Sequence, residues 1–242
     1  MKKLLFLFCA CSFLAADLSA QIKGGVTWFD AGLKVKFGGA GLYNTAVVDS
    51  DVYNYDLGKT NGFGVGLKVA MNFDNNGIVL EGMLSQGSQD IENGGSDNLT
   101  VKWKTTDIYL MYRNSANRGY FELGPKMSLI RGVDFSENNE TPVDVSDNYQ
   151  THYSGVVGFG GNLLGSDGAF LGILGLRMEY GFTDAVTPDG LSLGHPVIDP
   201  SIYSAGDKTS NIIFAGVVME LYWGIGYYAK AGCGQRSKFL KF

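Results

Sequence analysis

Three side chains of types that occur in nucleophilic active sites lie close together in the second half of the sequence. His152 and Ser154 are separated by one residue, and Glu179 follows on the next predicted strand. A serine that is activated by a histidine, which a carboxylate orients, can attack a carbonyl carbon and transfer an acyl group. If Ser166 and Asp167 form a two-residue turn, Ser154 lies directly opposite Glu179. The trio is therefore one candidate site for acyl hydrolysis.

The elements that would position these groups are β-strands, because apolar and polar residues alternate along most of the chain. In one segment the odd-numbered positions from Phe63 to Phe73 are all apolar, whereas the even-numbered positions are Gly, Lys, Ala or Asn. Helical periodicity does not extend over any long window. The predicted strands cover residues 27–37, 62–73, 78–86, 101–113, 120–130, 151–164, 169–183 and 210–223.

The connections between these strands alternate between tight turns and long loops. The tight turns, at residues 74–77, 114–119 and 165–168, are rich in Asn, Asp, Ser and Gly, which suit hairpins. The long polar loops are predicted near residues 38–61, 87–100, 131–150 and 184–209. Short turns at one rim and long loops at the other are typical of an outer-membrane barrel. We therefore predict an all-β fold, an eight-stranded antiparallel up-and-down transmembrane β-barrel.

The apolar face of the strands is predicted to meet lipid, and the polar face to line the lumen. In the reverse arrangement Lys68, Glu81 and Arg177 would lie in or near hydrocarbon, where each basic residue near the midplane costs up to about 2–4 kcal/mol. Summed over all such residues, this would exceed a typical folding free energy of about 5–15 kcal/mol. Both faces of the last strand are apolar, and we prefer the frame that keeps Glu220 inside.

The predicted lumen is just wide enough to be filled by side chains. Its charges have both signs, which favours an interior salt-bridge network over a pore lining. Counting outward from the tight turns places Lys68 diagonal to Glu81, and Arg113 diagonal to Glu122. The same alternation directs Ser154 into the lumen, which favours a polar network over catalysis on lipid. The predicted network consists of Lys34, Lys68, Glu81, Arg113, Glu122, Lys126, Arg177 and Glu179.

The two ends of the chain differ from the barrel region. Residues 1–20 are predicted to be a cleaved signal peptide, because Lys2 and Lys3 precede an apolar run and Ala20 suits the cleavage site. The barrel domain is predicted to span residues 21–242 and to end in a short basic tail after Trp223. The formal charge of −5 and the isoelectric point near 5.0 argue against nucleic acid as a partner.

Several segments resemble the outer-membrane β-barrel protein family common in Bacteroidota, which is also described as a porin family. Residues 79–87 are similar to the family's glutamate-containing third strand, residues 121–125 to its Gly-Pro strand, and residues 176–184 to a strand end that carries an arginine. The basic tail departs from the family, although Phe242 suits the terminal aromatic residue of barrel-insertion signals. The resemblance implies a barrel in the outer membrane and implies no substrate.

The expected function is that of a non-enzymatic integral outer-membrane barrel that displays extracellular loops and has at most a narrow pore. No cofactor and no metal centre are predicted, and the expected partners are outer-membrane lipid, the barrel-insertion machinery and an unidentified loop ligand. One alternative is a membrane acyl hydrolase, since the His-x-Ser spacing resembles that of outer-membrane lipid A deacylases, although Gly155 departs from their pattern. The other is a soluble, lipocalin-like periplasmic carrier.

Overall fold

The computed structural model describes residues 28–73, 75–93, 97–116, 119–138, 140–165, 170–202, 209–225, 228–230 and 236–238. The predicted signal peptide and the terminal Phe242 lie outside these residues. Eight long strands dominate the described chain. They are β1 (Trp28–Asn44), β2 (Tyr53–Phe73), β3 (Asn76–Asn93), β4 (Asp97–Ala116), β5 (Gly119–Glu137), β6 (His152–Leu164), β7 (Phe170–Gly181) and β8 (Ser210–Ile225).

The eight strands form a closed antiparallel ring. Each strand pairs with its neighbours in sequence, and β1 also pairs with β8. The seam between β1 and β8 runs without interruption from the Phe29–Ile225 pair to the Asn44–Ser210 pair. Closure removes the unpaired backbone edge that an open sheet would expose to lipid. The predicted all-β, eight-stranded, up-and-down barrel is therefore confirmed.

The apolar side chains of the strands face outward. Phe37 and Leu67 are each 65% exposed, whereas Lys34 has no exposed surface. Glu220 is also buried, so the frame preferred for the last strand is the observed one. This arrangement is the inverse of that in a soluble barrel and contradicts the lipocalin-like alternative, because a soluble carrier would bury its apolar face.

The polarity of the two faces reverses along the strands, as β4 illustrates. In its half near the tight turns, Asp107 and Arg113 point inward while Ile108 and Leu110 point outward. Nearer the loops the inward side chains are instead Leu99, Val101 and Trp103, and Thr100, Lys102 and Lys104 point outward. Only about ten residues of a tilted strand are needed to cross the hydrocarbon. The loop-side half of β4 therefore has the apolar interior and polar exterior of a water-soluble barrel.

This reversal corrects the predicted loops. Residues 38–61 and 87–100 were predicted to be long loops, but β1 continues to Asn44, β2 begins at Tyr53, and β3 and β4 extend to Asn93 and from Asp97. Similarly, β5 continues to Glu137. The polar outward residues of these extensions imitate a loop in composition. Their inward residues continue the period-two alternation, and that alternation is the signal that identifies them as strand.

A lid of short elements covers the loop-side mouth of the barrel. It contains 3-10 turns at Ser146–Asn148 and Pro200–Ile202, the helix α2 (Pro188–Ser192) and a two-residue strand, Val143–Asp144. A further short helix, α1 (Thr45–Val48), connects β1 to β2. None of the described helices is long and apolar enough to cross a lipid bilayer.

The lid closes over a hydrophobic core that we call the loop-side core. Its members are buried apolar side chains from the strand extensions and from the lid. They include Leu42, Ile91, Val101, Trp103, Val133, Phe135, Tyr149, Val186, Val197 and Phe214. A backbone hydrogen bond from Ala185 N to Ser210 O (2.9 Å) ties the lid to the barrel, and one from Gln150 N to Ala185 O (2.9 Å) joins two segments of the lid. This core closes the mouth with apolar packing.

The reversal of polarity predicts opposite tolerances for a charge at two outward positions of β2. Leu67→Arg, in the apolar band, is expected to lower the free energy of unfolding by about 2–4 kcal/mol, because the guanidinium enters hydrocarbon. Asn54→Arg, which is exposed on the loop-side extension, is the matched control and is expected to have an effect within about 0.5 kcal/mol. Urea unfolding of the protein in lipid vesicles measures both changes. Equal effects would contradict the assignment of the band.

Candidate functional site

The lumen inside the apolar band is filled by charged side chains. Six basic and six acidic residues of the described chain are buried there. The basic ones are Lys34, Lys36, Lys68, Arg113, Lys126 and Arg177, and the acidic ones are Asp30, Glu81, Asp107, Glu122, Glu179 and Glu220. Burying an unpaired charge costs several kcal/mol. Equal numbers of basic and acidic residues allow each buried charge to have a partner of opposite sign.

Three glutamates from different strands meet at the centre of this network, and we call them the three-glutamate cluster. Glu81, Glu122 and Glu220 place carboxylate oxygens within 4.8 Å of one another. Lys34 Nζ lies between them, 2.5 Å from Glu81 Oε1, 2.6 Å from Glu220 Oε1 and 3.5 Å from Glu122 Oε1. A single ammonium group therefore contacts all three carboxylates and offsets part of their mutual repulsion.

Two arginines supply most of the remaining positive charge at this cluster. Arg113 Nη2 lies 2.5 Å from Glu122 Oε2 and 2.6 Å from Glu220 Oε1. Arg177 Nη1 lies 2.8 Å from Glu81 Oε2, and its Nη2 donates to Glu122 Oε1. The planar guanidinium group bridges two carboxylates with several donors, which a lysine cannot do in the same way.

Glycines make room for Arg177 in the narrow lumen. Gly158 is its register partner on β6, and Gly216 is its register partner on β8. Gly158 is also the partner of Glu122 on β5, and a Cβ atom added to Gly158 would lie 2.8 Å from Glu122 Oε1. Because Gly158 has no side chain, Arg177 and Glu122 can form their ion pair across an intervening strand.

A second cluster lies between the three-glutamate cluster and the loop-side core. Lys126 Nζ lies 2.7 Å from Glu179 Oε2, and Lys36 Nζ lies 3.1 Å from Glu179 Oε1. Lys36 Nζ also lies 3.3 Å from Asp107 Oδ2. Tyr109 donates its hydroxyl to Glu179 Oε1 at 2.9 Å and accepts from Lys36 Nζ at 2.8 Å. The two lysines and the two carboxylates therefore balance each other within this cluster.

Every residue that the sequence predicted for the interior network lies in the lumen, and four charged residues join them. The additional residues are Asp30, Lys36, Asp107 and Glu220. The period-two alternation could have identified them, since Asp30 and Lys36 flank Lys34 on the same face of β1 and Asp107 shares a face with Arg113. None of these four residues was included in the predicted network.

The predicted partners within the network need correction. Lys68 is directly opposite Glu81 rather than diagonal to it. Its Nζ lies 3.2 Å from both Asp30 Oδ1 and Glu220 Oε2. Arg113 is likewise directly opposite Glu122, where the two side chains form an ion pair. The physical reason is that both hairpins close more tightly than predicted, since Phe73 pairs with Asn76 and Ala116 pairs with Gly119.

The predicted pairing of Ser154 with Glu179 is wrong. Ser154 faces Gly181, and the residue opposite Glu179 is Val156. The register differs by two residues because the connection from β6 to β7 is longer than a two-residue turn, and because the ladder is irregular between Asn162 and Leu164.

The three candidate catalytic side chains do not form a triad. Neither ring nitrogen of His152 is hydrogen-bonded to Ser154 Oγ. Glu179 instead receives the ammonium groups of Lys36 and Lys126, as described above. His152 and Ser154 are both buried inside the lumen, where a lipid on the exterior has no access to them.

The three-glutamate cluster is also the one group among the described residues whose geometry could hold a metal ion. Its carboxylate oxygens already receive Lys34, Arg113 and Arg177 at ion-pair distances. A cation would have to displace these side chains, each of which would then be a buried charge without a partner. The donor set therefore fits an internal salt-bridge network better than a metal centre.

His195 packs in the lid above the loop-side core. Its ring lies edge-on to Tyr149 at a centroid distance of 5.6 Å, and its Nε2 is 3.1 Å from Asn148 Nδ2. Burial lowers the pKa of His195 below its ordinary value, because desolvation disfavours the imidazolium form. The residue therefore acts as a neutral packing group in the closed lid.

Comparisons with known proteins find likeness among solved structures. Neither a family model nor a curated protein matches the chain. Ail of Yersinia pestis shares 14% identity over 81% of this chain and 99% of its own, with a TM-score of 0.38. Neisserial surface protein A shares 10% over 81% and 98%, with a TM-score of 0.34. The protease OmpT from Escherichia coli shares 9% over 83% and 98%, with a TM-score of 0.39.

The closed ring, the apolar exterior and the charged, filled lumen together define the class of this protein. It is an integral membrane β-barrel of the small outer-membrane type. The lipid-facing band, which includes Phe37, Leu67, Leu110 and Leu176, carries this conclusion because such a surface is stable only in hydrocarbon.

Removing one carboxylate from the three-glutamate cluster is expected to destabilise the barrel strongly. Glu220→Gln leaves Lys34, Lys68 and Arg113 short of a counter-charge, and we expect a loss of about 3–5 kcal/mol in the free energy of unfolding. Asp134→Asn removes an exposed ion pair to Lys104 and is expected to cost less than about 1 kcal/mol. Urea unfolding in vesicles, followed by the change in gel mobility, measures both. Similar losses for the two variants would show that the network is not balanced as described.

Acidification is expected to loosen the lid through His195. The pKa of the folded-state imidazole is lowered, so opened lids bind more protons, and closure weakens as the pH falls below about 6.5. Hydrogen exchange of residues 184–199, corrected for the intrinsic rate, is expected to accelerate between about pH 7 and about pH 5. His195→Gln retains an acceptor for Asn148 and should remove this pH dependence. An unchanged dependence in the variant would exclude His195 as its source.

Proposed function

We propose that the protein is a non-enzymatic integral barrel of an outer membrane. It holds a rigid cap, which consists of the lid and the strand extensions beneath it, on the cell surface for interaction with other molecules. In this proposal the tight turns, the first residues of β1 and the last residues of β8 face the periplasm, and the lid faces the exterior. The observation that carries the proposal is that the lumen is filled at two levels. Paired charged side chains fill it within the membrane, and apolar side chains fill it on the loop side.

The filled lumen supports a structural role over transport. Between the second ionic cluster and the loop-side core, a cavity of about 20 Å³ is lined by groups that include Lys36, Asp107, Lys126 and His152. Such a volume accommodates about one water molecule. A small solute would need to displace both the ionic network and the loop-side core, so the proposal limits the barrel to negligible conductance.

The cap supports a role in display. The extensions of β3, β4 and β5 raise the lid above the apolar band, and the loop-side core fixes the lid on them. Exposed apolar side chains remain on this cap, including Val52 (47% exposed), Val143 (61%) and Leu193 (52%). Apolar side chains on a rigid surface are suited to contacting a partner with little loss of conformational entropy.

The acyl-hydrolase alternative has little support from the geometry. Its nucleophile, Ser154, is enclosed in the lumen, and its carboxylate, Glu179, is engaged by two lysines. A lipid-modifying site has to open toward the bilayer. We therefore expect Ser154 to contribute only to the polar interior.

Planar-bilayer recording tests the proposed closure of the lumen. The purified protein is expected to insert without discrete single-channel openings, because the ionic network and the loop-side core block the same path in series. Reconstitution is checked by the faster migration of the unheated protein on a gel. Regular openings of the wild-type protein would contradict the proposal, whereas rare, irregular leaks that match the protein-free bilayer would agree with it.

Comparison of membrane lipids tests the non-enzymatic part of the proposal. Cells that express wild-type protein or Ser154→Ala are expected to have the same acyl composition of outer-membrane lipid. Mass spectrometry of extracted lipid measures this acyl composition. The control is His195→Gln, which changes a histidine of the lid and leaves the lumen unchanged. A lipid species that appears only with an intact Ser154 would establish hydrolysis and overturn this part.

A further inference from the structure

The upper boundary of the apolar band carries basic side chains on β4 and β5. Leu84, Thr106 and Leu129 occupy one register row on the outer face of β3, β4 and β5, and Leu84 and Leu129 are exposed apolar residues. The next row on the outer face, toward the loops, contains Gln86 and Lys104. On this side of the barrel, the change from lipid to water therefore falls between these two rows.

A β-bulge places Arg131 at the same level. Thr105 pairs with Ile130 and Lys104 pairs with Gly132, which leaves Arg131 without a register partner. Its side chain is exposed, as is that of Lys104 (53%). Bulges commonly redirect side chains at functional sites. The irregularity at this point brings an arginine next to a lysine at the edge of the membrane.

The surface between these two cations is open. A Cβ atom built on Gly132 would have no neighbouring atom within 4 Å. Gly132 faces Lys104 across the β4–β5 ladder and follows Arg131 in sequence. The absence of a side chain here leaves space for a group that would contact both cations.

The acidic residues near this site lie on its far side from the membrane. Asp134 is opposite Lys102, one row beyond Lys104, and its carboxylate lies 3.6 Å from Lys104 Nζ. Asp144, on the two-residue strand Val143–Asp144, is the register partner of Asp134 and lies beside it, where the charge of Lys104 also acts on it. Among the described residues, Arg131 takes part in no ion pair. A negatively charged group that approaches from the lipid side therefore meets the cations before the carboxylates.

We propose that Lys104 and Arg131 bind the phosphate group of an anionic lipid headgroup at the outer edge of the apolar band. The lipid's acyl chains would lie against Leu84 and Leu129, and its phosphate would occupy the space above Gly132. Arginine and lysine are the side chains that bind phosphate most readily. Basic residues at a membrane surface also attract anionic lipids individually. The site adds a fixed lipid contact to the barrel and does not depend on what the cap binds.

The proposal is tested by native mass spectrometry of the full chain in neutral detergent. The probes are phosphatidylglycerol, phosphatidylcholine and inorganic phosphate. Wild-type protein is expected to retain phosphatidylglycerol in preference to phosphatidylcholine. The double variant Lys104→Gln/Arg131→Gln should bind phosphatidylglycerol on the order of tenfold more weakly. Lys59→Gln removes an exposed lysine from β2 and is the matched control, with affinity unchanged. Faster migration of each unheated variant on a gel verifies its fold.

Each result has a definite meaning for the site. Selective weakening in the double variant, without displacement by millimolar inorganic phosphate, supports a lipid-headgroup site. Displacement of phosphatidylglycerol by inorganic phosphate would replace the lipid with a free phosphate as the ligand. Equal affinities of the double variant and Lys59→Gln, or equal retention of the two phospholipids by the wild-type protein, would overturn the proposal.

Discussion

Charge balance inside the lumen governs how this barrel is built. A ring of eight strands leaves room for side chains but little for water, so its charges have to be neutralised by one another. Lys34, Arg113 and Arg177 achieve this at the three-glutamate cluster by contacting more than one carboxylate each. These contacts join strands on opposite sides of the lumen, and they stabilise the closed ring as a unit.

The polarity of each strand follows from the medium on the other side of it. Within hydrocarbon, the outward positions are apolar and the polar residues are inside. Beyond hydrocarbon the outward positions face water, and the apolar residues move inside to form the loop-side core. One strand, β4, contains both patterns in continuous alternation, from Leu99 to Arg113. The same backbone therefore serves as a membrane barrel below and a soluble barrel above, and the two interiors block the lumen independently.

This division also accounts for the separation of roles. The ionic network and the loop-side core hold the scaffold, whereas the lid and the outward edge residues are available for interaction. His152 and Ser154 belong to the scaffold, since both are enclosed. Their spacing in the sequence suggests a nucleophilic active site, but in the barrel it reflects two consecutive inward positions on β6. The cap, and the boundary between Leu129 and Arg131, are the surfaces that meet other molecules.

The class of fold and the inward direction of residues such as Lys34, Arg177 and Glu220 follow from the sequence alone, because the two-residue period of a strand is a local property. Which cation pairs with which carboxylate, in contrast, depends on how the strands are arranged in three dimensions. Register depends on turn lengths and bulges, so the position of Ser154 relative to Glu179 changed by two residues. Contacts across the lumen, such as that of Arg177 with Glu81, join strands far apart in sequence and arise only when the ring closes. The extent of the strands also depends on this arrangement, because polar outward residues resemble a loop until their inward partners are seen to pack together.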